Sequence, residues 1–398
     1  MIMIKKEKKG LIAVFKREMR WISREPSFIL MTVVLPLVMF FFFVSMFSQG
    51  VPRNMPIGII DSDNSRLSRE LIRRLNAVPS IEVSHSVSNL EEGRRLIIQG
   101  KIYSLIYIQN GFESKTARGL SSEIIHYYNN ENQLVGGTIF KDVTSTVRDL
   151  SGEILKDSLL RKGLSTSQAD AMTEPIAVNT HVLFNPYTNY MYYLLTGILP
   201  TMLQFFILLT TIYTVGIELK KSTIKSAMET GEMSVVTVLS GKLLPYTFIF
   251  SVMGLFMLTL MFKYLGFPLQ GNIYLIIGAT LLFVLAYQAM GLLFIGLTGN
   301  LLKSMLNASF YSSSAFTFTG MTYPMIAMYW PAKVWAKFLP LTHYLNIIIE
   351  QAFRSSPVSV TAKSFIPLIL FLFIPFLVLP RIKKLFTDEM MWGDWGSL

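Results

Sequence analysis

The side chains that most often catalyse reactions or bind metals are sparse in this sequence. There is no cysteine, and the four histidines are scattered without an i, i+4 pair. These histidines are His85, His126, His181 and His343. Asp61 and Asp63 could chelate a cation together, but two carboxylates in Asp-Ser-Asp-Asn after an apolar run are more typical of a turn and a helix cap. We therefore predict no catalytic residue and no metal site.

Phosphate-binding loops are also not evident. Gly100-Lys101 and Gly241-Lys242 both lack the upstream glycine and the following Ser or Thr of a P-loop. The sequence therefore predicts no bound nucleotide or other cofactor. If the protein transports a substrate, we expect the energy to come from outside this polypeptide.

The composition places these residues in a membrane. Of 398 residues, 52% are hydrophobic and 15% are charged, whereas soluble domains have about 25% charged residues. The apolar residues form runs of about 20 residues, which match the ~30 Å hydrocarbon core of a bilayer. We predict a polytopic α-helical membrane protein with six transmembrane helices. The six predicted spans are residues 28–47, 190–217, 243–262, 273–299, 305–329 and 364–380.

The interiors of these six runs contain neutral polar side chains but no charge. Gln204 in the second span and Asn307, Ser314 and Thr317 in the fifth are candidates for lining a polar pathway. Close helix packing is the other common role of such residues within a membrane. A proton-coupled carrier is disfavoured, because it needs titratable groups in its spans.

The net charge of +11 reflects topology. Lysine and arginine are concentrated before the first span, in the loop 218–242 and after the last span, which places both termini in the cytoplasm. The stretch 49–189 must then be extracytoplasmic. These cations explain the basic balance through contact with membrane lipid, without a nucleic-acid partner. We expect a multi-pass membrane protein with both termini in the cytoplasm.

The chain is therefore predicted to have three parts. They are residues 1–48, an inserted α/β extracytoplasmic domain at 49–189, and a transmembrane domain of five helices at 190–398. Within the inserted domain, alternating strand and helix patterns predict a small α/β fold. The predicted strands cover 56–60, 102–108 and 123–128, and the predicted helices begin after Ser65, at a capping-box pattern over 88–91, and near Asn132.

Residues 10–25 form an amphipathic helix pattern. Leu11, Phe15, Met19 and Ile22 share one face, and the lysines and arginines lie elsewhere. Such a helix is expected in the cytoplasmic headgroup region of the bilayer.

The loop 218–242 is the most distinctive cytoplasmic segment. Its pattern predicts a short helix that ends at Thr230-Gly231, followed by a second helical piece. A short exposed helix suits docking into the groove of a partner protein. An ordinary interfacial connector is the alternative.

Taken together in their order, several segments resemble permease subunits of the type-2 ABC exporter family. The similar segments are Lys16-Arg17-Glu18, Arg24-Glu25-Pro26, Asn54-Met55-Pro56-Ile57-Gly58-Ile59-Ile60-Asp61, and Gly241-Lys242-Leu243-Leu244-Pro245-Tyr246. The resemblance covers essentially the whole chain. It is strongest to the multidrug-exporter-like subgroup with a large extracytoplasmic domain after the first span.

This resemblance implies a coupling helix within 222–231 that docks on an ATP-hydrolysing subunit. The implied coupling residues are Ser222, Thr223, Lys225, Met228, Glu229, Thr230 and Gly231. It also implies that the second and fifth spans line the export path at a dimer interface. The sequence has Ser222-Thr223 and Thr230-Gly231 where the family often has Gly-Thr and Thr-Pro.

The leading hypothesis is a permease subunit that exports a hydrophobic or amphipathic, drug-like or lipid-like substrate. The expected partners are an ATP-binding cassette ATPase, a second permease copy or a sibling permease, and a periplasmic adaptor with an outer-membrane channel. The chain itself is expected not to be an enzyme. The alternative hypothesis is a membrane-anchored receptor or envelope-assembly factor that acts through its extracytoplasmic domain.

Overall fold

The structure, a computed structural model, describes residues 9–174, 181–185 and 189–392. The chain forms two compact units. Residues 1–48 and 183–398 make the first, here called the membrane unit, and residues 49–182 make the second, here called the α/β unit.

Two helices begin the membrane unit, α1 (Leu11–Arg24) and α2 (Pro26–Met46). Glu25 separates them with extended backbone angles, and Pro26 occupies the first turn of α2. Proline is favoured at that position because its missing N–H would have no partner inside the helix. The amphipathic helix predicted at 10–25 and the first predicted span are therefore both helical.

Four strands and five helices form the described part of the α/β unit. They are β1 (Met55–Asp61), α3 (Arg66–Asn76), β2 (Ile81–Ser86), α4 (Leu90–Ile98), β3 (Ser104–Ile108), α5 (Phe112–Ala117), β4 (Ile124–Tyr128), α6 (Gln133–Arg161) and α7 (Thr166–Thr173). The sheet order is β2-β1-β3-β4. Strand β1 is parallel to both of its neighbours, whereas β4 runs antiparallel to β3.

The core of this unit lies between the sheet and helices α3 and α6. Ile57 and Ile106 of the central strands are fully buried with Leu71 of α3 and Ile139 of α6. Burial of such aliphatic side chains is the main stabilising contribution to a domain of this size.

Two details of this unit differ from the sequence-based expectation. Strand β2 was not predicted. Its sequence, Ile-Glu-Val-Ser-His-Ser, contains two apolar residues, Ile81 and Val83, so its apolar pattern is too short to indicate a strand. Helix α4 does begin near the expected capping box, but one residue later. The cap is Asn89, whose side chain accepts a hydrogen bond from the Glu92 N–H at 2.9 Å, while the Glu92 carboxylate accepts from the Ser88 N–H.

The C-terminal part of the membrane unit is helical. Its helices are α8 (Tyr190–Lys220), α9 (Ile224–Thr230), α10 (Val235–Tyr264), α11 (Ile273–Thr298), α12 (Leu301–Phe318), α13 (Trp330–Lys337), α14 (Pro340–Ile348), α15 (Val358–Phe371) and α16 (Ile374–Thr387). Helix α8 is the most buried of the long helices, and it packs against α2, α10, α11 and α12.

Five helical segments of the described chain are long and apolar enough to cross a membrane. They are Pro26–Met46, Tyr190–Lys220, Val235–Tyr264, Ile273–Thr298 and Val358–Thr387. The expected fifth span, 305–329, corresponds to α12, which has 18 residues and is not among the five. Its Ser, Thr and Asn residues lower its hydropathy, and Gly320 with a φ of 90° lies shortly after its end.

Candidate coupling site

Helix α1 lies directly against α10. An added Cβ at Gly241 of α10 would lie 2.7 Å from the Cβ of Val14, so only glycine permits this approach. The α1 N-terminus is tied to the end of α9, because the Gly10 N–H donates to the Thr230 carbonyl at 2.8 Å. Val14 and Ile22 are buried in this contact.

Four charged side chains, here called the ion cluster, meet where α1, α8 and α10 come together: Arg17, which is 22% exposed, and the buried Glu18, Glu218 and Lys242. The Lys242 ammonium lies 2.6 Å from Oε2 of Glu18 and 3.0 Å from Oε1 of Glu218, and all three side chains are 0% exposed. Arg17 donates two hydrogen bonds to Glu218, at 2.8 and 3.1 Å. Two cations therefore balance two carboxylates, and the cluster is neutral.

Hydroxyl groups complete the coordination of both carboxylates. Oε1 of Glu18 accepts from Tyr246 at 2.8 Å and from Thr214 at 2.6 Å. Oε2 of Glu218 accepts from Thr223 at 2.5 Å. Buried charges are tolerated when their remaining hydrogen-bonding capacity is satisfied in this way.

Trp21 covers the cluster on one side. The Lys242 ammonium lies 4.9 Å from the centre of its ring and the Arg17 guanidinium lies 5.8 Å from it. Both distances are within the range of cation–π attraction. The aromatic ring therefore stabilises the two cations and covers the buried Lys242 ammonium.

The predicted spans 190–217 and 243–262 contain no charged residue, but the helices extend beyond these spans into residues that are charged. Glu218 lies in the segment Tyr190–Lys220 and Lys242 in the segment Val235–Tyr264. Lys242 was counted as a loop cation because the apolar run begins after it, but Ser234 caps α10 eight positions earlier. One feature of the sequence indicates the cluster. Glu18 lies four residues after Val14 and four before Ile22, so a charged residue falls on the buried face of α1.

The predicted coupling residues on α9 and at its C-terminal end include a buried group and an exposed group. Met228 and Gly231 face inward and are buried. Lys225 and Glu229 are exposed, as is Ser226, which the sequence-based set did not include. On this helix, the exposed group is the one that a partner could contact.

The other predicted coupling residues lie at the two ends of α9. Ser222 is exposed with a φ of 56°, and Thr223 uses its hydroxyl to bind Glu218. Thr230 bonds to the Ser226 carbonyl. Lys225 forms an ion pair with Glu389 at 2.8 Å, and this hydrogen bond raises the pKa of the lysine.

A groove separates α1 from α9. It has a volume of about 730 Å³ and is lined by cations from α1 and polar residues from α9. Its charged lining residues are Lys9, Lys16, Arg17, Arg20, Arg24 and Glu229. The groove is strongly positive, so an acidic partner surface would be attracted to it.

The structure separates the predicted pathway residues rather than bringing them together. Gln204 is buried, with its Nε2 at 3.4 Å from the Ser312 carbonyl and its Oε1 without a partner in the described structure. Ser314 accepts from the Trp335 indole at 3.1 Å. Asn307 and Thr317 are exposed on α12.

Comparison with known proteins identifies the family. The model of the ABC-2 family transporter protein matches residues 26–379. The chain is 24% identical over 359 residues to the probable multidrug ABC transporter permease YbhS of Escherichia coli K12, covering 84% of this chain and 91% of that protein. It is 30% identical over 117 residues to the linearmycin resistance permease protein LnrN of Bacillus subtilis, covering 29% of this chain and 30% of that protein. The chain is a multi-pass membrane protein that belongs to the ABC-2 family of transporter proteins.

Proposed function

We propose that the protein is the permease subunit of an ATP-driven exporter that moves a hydrophobic or amphipathic substrate out of the cytoplasm or the inner leaflet. A separate ATPase subunit hydrolyses ATP and docks on α9. The observation that carries this proposal is the ion cluster, which joins α1, α8 and α10 directly beside α9. The multidrug permease relative supports the substrate class.

The ion cluster explains how movement of α9 would reach the long helices. Separating one member of a buried ion pair from its partner costs about 3–5 kcal/mol. Helices α1, α8 and α10 therefore move together when α9 is displaced. Since α8 packs on α2, α11 and α12, a push from an ATPase would shift the packing of the whole membrane unit.

The proposed orientation follows from the cations. Both termini, α9 and the ion cluster lie on the cytoplasmic side, and the α/β unit lies outside the membrane. In this arrangement α12 is the fifth of six spans, despite its polar sequence. The membrane is the bacterial inner membrane.

A second permease copy, or a sibling permease, completes the transport path. Leu302, Leu306 and Phe310 lie at four-residue spacing on α12, and Phe310 is 72% exposed. By contrast, α8 is mostly covered within this chain. An exposed apolar helix face with Asn307 and Thr317 beside it suits a dimer interface that borders the path.

The α/β unit offers one observation for the alternative function, a receptor or envelope-assembly factor. A cavity of about 540 Å³ lies beside β4 and α6, and it contains His126, Tyr128 and Phe140. Such an aromatic pocket suits an amphipathic ligand. In the exporter proposal, the same unit is where a periplasmic adaptor leading to an outer-membrane channel would bind.

The test is reconstitution of the permease with its ATPase in proteoliposomes, with the amphipathic cation ethidium as the transported probe. Glu229→Lys reverses an exposed charge on α9 and should reduce ethidium transport per ATP hydrolysed at least tenfold. Glu91→Lys makes the same charge change in the α/β unit and should leave this ratio unchanged. Equal ratios in both variants, or transport by the permease without ATP, would contradict the proposal.

A further pair of variants isolates the role of Lys225. Because this residue binds Glu389, Lys225→Glu breaks an internal ion pair as well as changing the proposed docking surface. The double variant K225E/E389K restores the pair in reverse. Transport that recovers in the double variant assigns Lys225 to anchoring the C-terminal segment, whereas transport that stays low assigns it to the ATPase contact.

A further inference from the structure

A second positively charged cavity lies in the membrane unit, where α12 begins and α16 ends. Its volume is about 530 Å³, and its lining includes Lys303, Arg381 and Lys384. All three side chains belong to exposed residues, and none has an ion pair in the part of the chain that the structure describes. Like charges held close together repel each other, so an anion in the cavity would stabilise it.

Helix α16 passes from an apolar to a basic surface at this cavity. Leu377, Arg381 and Lys384 share one helix face, at i, i+4 and i+7. Leu377 is 80% exposed, as expected for a side chain in contact with lipid tails. Since four residues rise about 6 Å along a helix, Arg381 lies where lipid tails meet headgroups.

Helix α12 shows the same change from the opposite chain direction. Lys303 near its first turn is followed on the same face by Leu306 and Phe310, which are 62% and 72% exposed. Lys303 therefore brings a third cation to the cavity, beside the proposed dimer interface. A soluble anion would make no contact with the apolar face of α16, whereas a lipid would contact both this face and the cations.

We propose that the cavity formed by Lys303, Arg381 and Lys384 binds the phosphate of an anionic phospholipid. An acyl chain of this lipid lies along the exposed apolar face of α16, because the apolar face of α12 is the proposed dimer interface. Arg381 supplies a planar guanidinium suited to two phosphate oxygens, and the two lysines add point charges. This site does not depend on ATP hydrolysis or on the identity of the exported substrate.

Native mass spectrometry of the purified full-length permease tests this proposal. The protein is mixed with phosphatidylglycerol or with phosphatidylcholine, and the fraction of lipid-bound protein is measured. The wild type should retain phosphatidylglycerol preferentially. Its affinity should fall about fivefold for each cation that is replaced by glutamine, and the triple variant K303Q/R381Q/K384Q should show no preference between the two lipids.

Two controls accompany the triple variant. K263Q/K337Q/K363Q removes three exposed cations elsewhere in the membrane unit and should retain the preference. K303R/R381K/K384R keeps the charge of the cavity and should also retain it, which separates loss of charge from misfolding. Unchanged phosphatidylglycerol binding by the glutamine variant would overturn the proposal. Displacement of the lipid by millimolar inorganic phosphate would also overturn it, since the site would then be one for free phosphate.

Discussion

Oε2 of Glu18 and the ammonium of Lys242 lie 2.6 Å apart with no solvent exposure, although 224 residues separate them in the chain. Glu18 belongs to the N-terminal amphipathic helix α1, and Lys242 belongs to the long helix α10. The pair therefore fixes the N-terminal amphipathic helix to the helix that follows the proposed coupling segment.

Breaking this pair from one side should be strongly destabilising. Lys242→Met leaves Glu18 buried without a cation and should cost about 3–5 kcal/mol. The double variant E18Q/K242M removes one charge of each sign and leaves the pair between Arg17 and Glu218. We expect the double variant to be more stable than K242M alone.

Thermal unfolding of the detergent-solubilised permease measures this difference, with Trp21 as a fluorescent probe beside the cluster. In a double-mutant cycle, a direct interaction makes the stability loss of E18Q/K242M differ from the sum of the losses in E18Q and K242M. If the two single effects simply added, Glu18 and Lys242 would be independent of each other, and the prediction would be wrong.

Gly241 should be essential for the contact between α1 and α10. In Gly241→Leu, the Cβ of the new leucine would lie 2.7 Å from the Cβ of Val14. Overpacking of this kind typically costs about 1–3 kcal/mol of folding free energy. We expect α1 to detach from α10. Gly278→Leu in α11 is the matched control, because an added Cβ there has no neighbour within 4 Å.

Limited trypsin digestion reports detachment directly. Helix α1 contains Lys16, Arg17 and Arg20, of which Arg17 is held by Glu218 in the native structure. Cleavage within α1 should become several-fold faster in G241L and remain at the wild-type rate in G278L. Equal cleavage rates in the two variants would show that Val14 can move aside without loss of the helix.

The sequence predicted local patterns better than it predicted contacts between distant segments. Strands β1, β3 and β4 and the long helix α6 were expected from runs of apolar residues and from turn signals, and the structure contains them. The partnership of Glu18 with Lys242 could not be found in this way, because no local pattern joins positions 224 residues apart. The third span was predicted to begin at residue 243, because the charge of Lys242 ends the apolar run. In the structure this charge is balanced by Glu18 and Glu218, and the helix begins at Val235.

The sequence-based interpretation of Asp63 was more successful. Its Oδ1 accepts hydrogen bonds from the N–H groups of Gly111 at 2.7 Å and Phe112 at 3.0 Å, and its Oδ2 accepts from Glu113 at 3.0 Å. This carboxylate therefore caps the start of α5 from a neighbouring turn. The predicted capping role is correct in kind, but the helix is α5 rather than α3, which Ser65 caps. A hydroxyl and three amide donors occupy the site that a cation would need.

Removing this cap should loosen α5 without unfolding the α/β unit. Burial acts to raise the pKa of Asp63, but the hydrogen bonds from Ser65 and the three amides lower it overall. The ionised carboxylate therefore stabilises the fold fully above its unfolded-state pKa of 3.8. This stabilisation is lost as the pH falls through the lower folded-state pKa. At neutral pH, Asp63→Ala should cost about 1 kcal/mol, since the site is partly solvated.

Hydrogen–deuterium exchange on the full-length chain at neutral pH would locate the effect of Asp63→Ala. Uptake should rise in α5 and in the turn after β1, and remain unchanged in β2. Asp149→Ala, an exposed carboxylate on α6, should change neither region. A rise spread over the entire sheet would mean that Asp63 supports the fold as a whole rather than one helix.

His126 should make the edge of the sheet sensitive to acid. It lies on β4, with its Nε2 at 2.8 Å from the Ser104 hydroxyl of β3 and its ring stacked on Phe140. Burial disfavours the charged imidazolium and lowers the pKa of His126 below its ordinary value of 6.5. The unfolded chain therefore binds a proton at higher pH than the folded chain does.

The sign of the effect follows from this difference in proton binding. Stability is complete above the unfolded-state pKa of 6.5, declines as the pH falls below it, and levels off below the folded-state pKa. Between pH 7.5 and pH 5.5, amide protection of β3 and β4 in the full-length chain should fall after correction for intrinsic exchange. His126→Gln should abolish this decline, while His85→Gln on the opposite edge strand β2 should preserve it. If the decline were the same in H126Q as in the wild type, another group would control the acid response of the sheet.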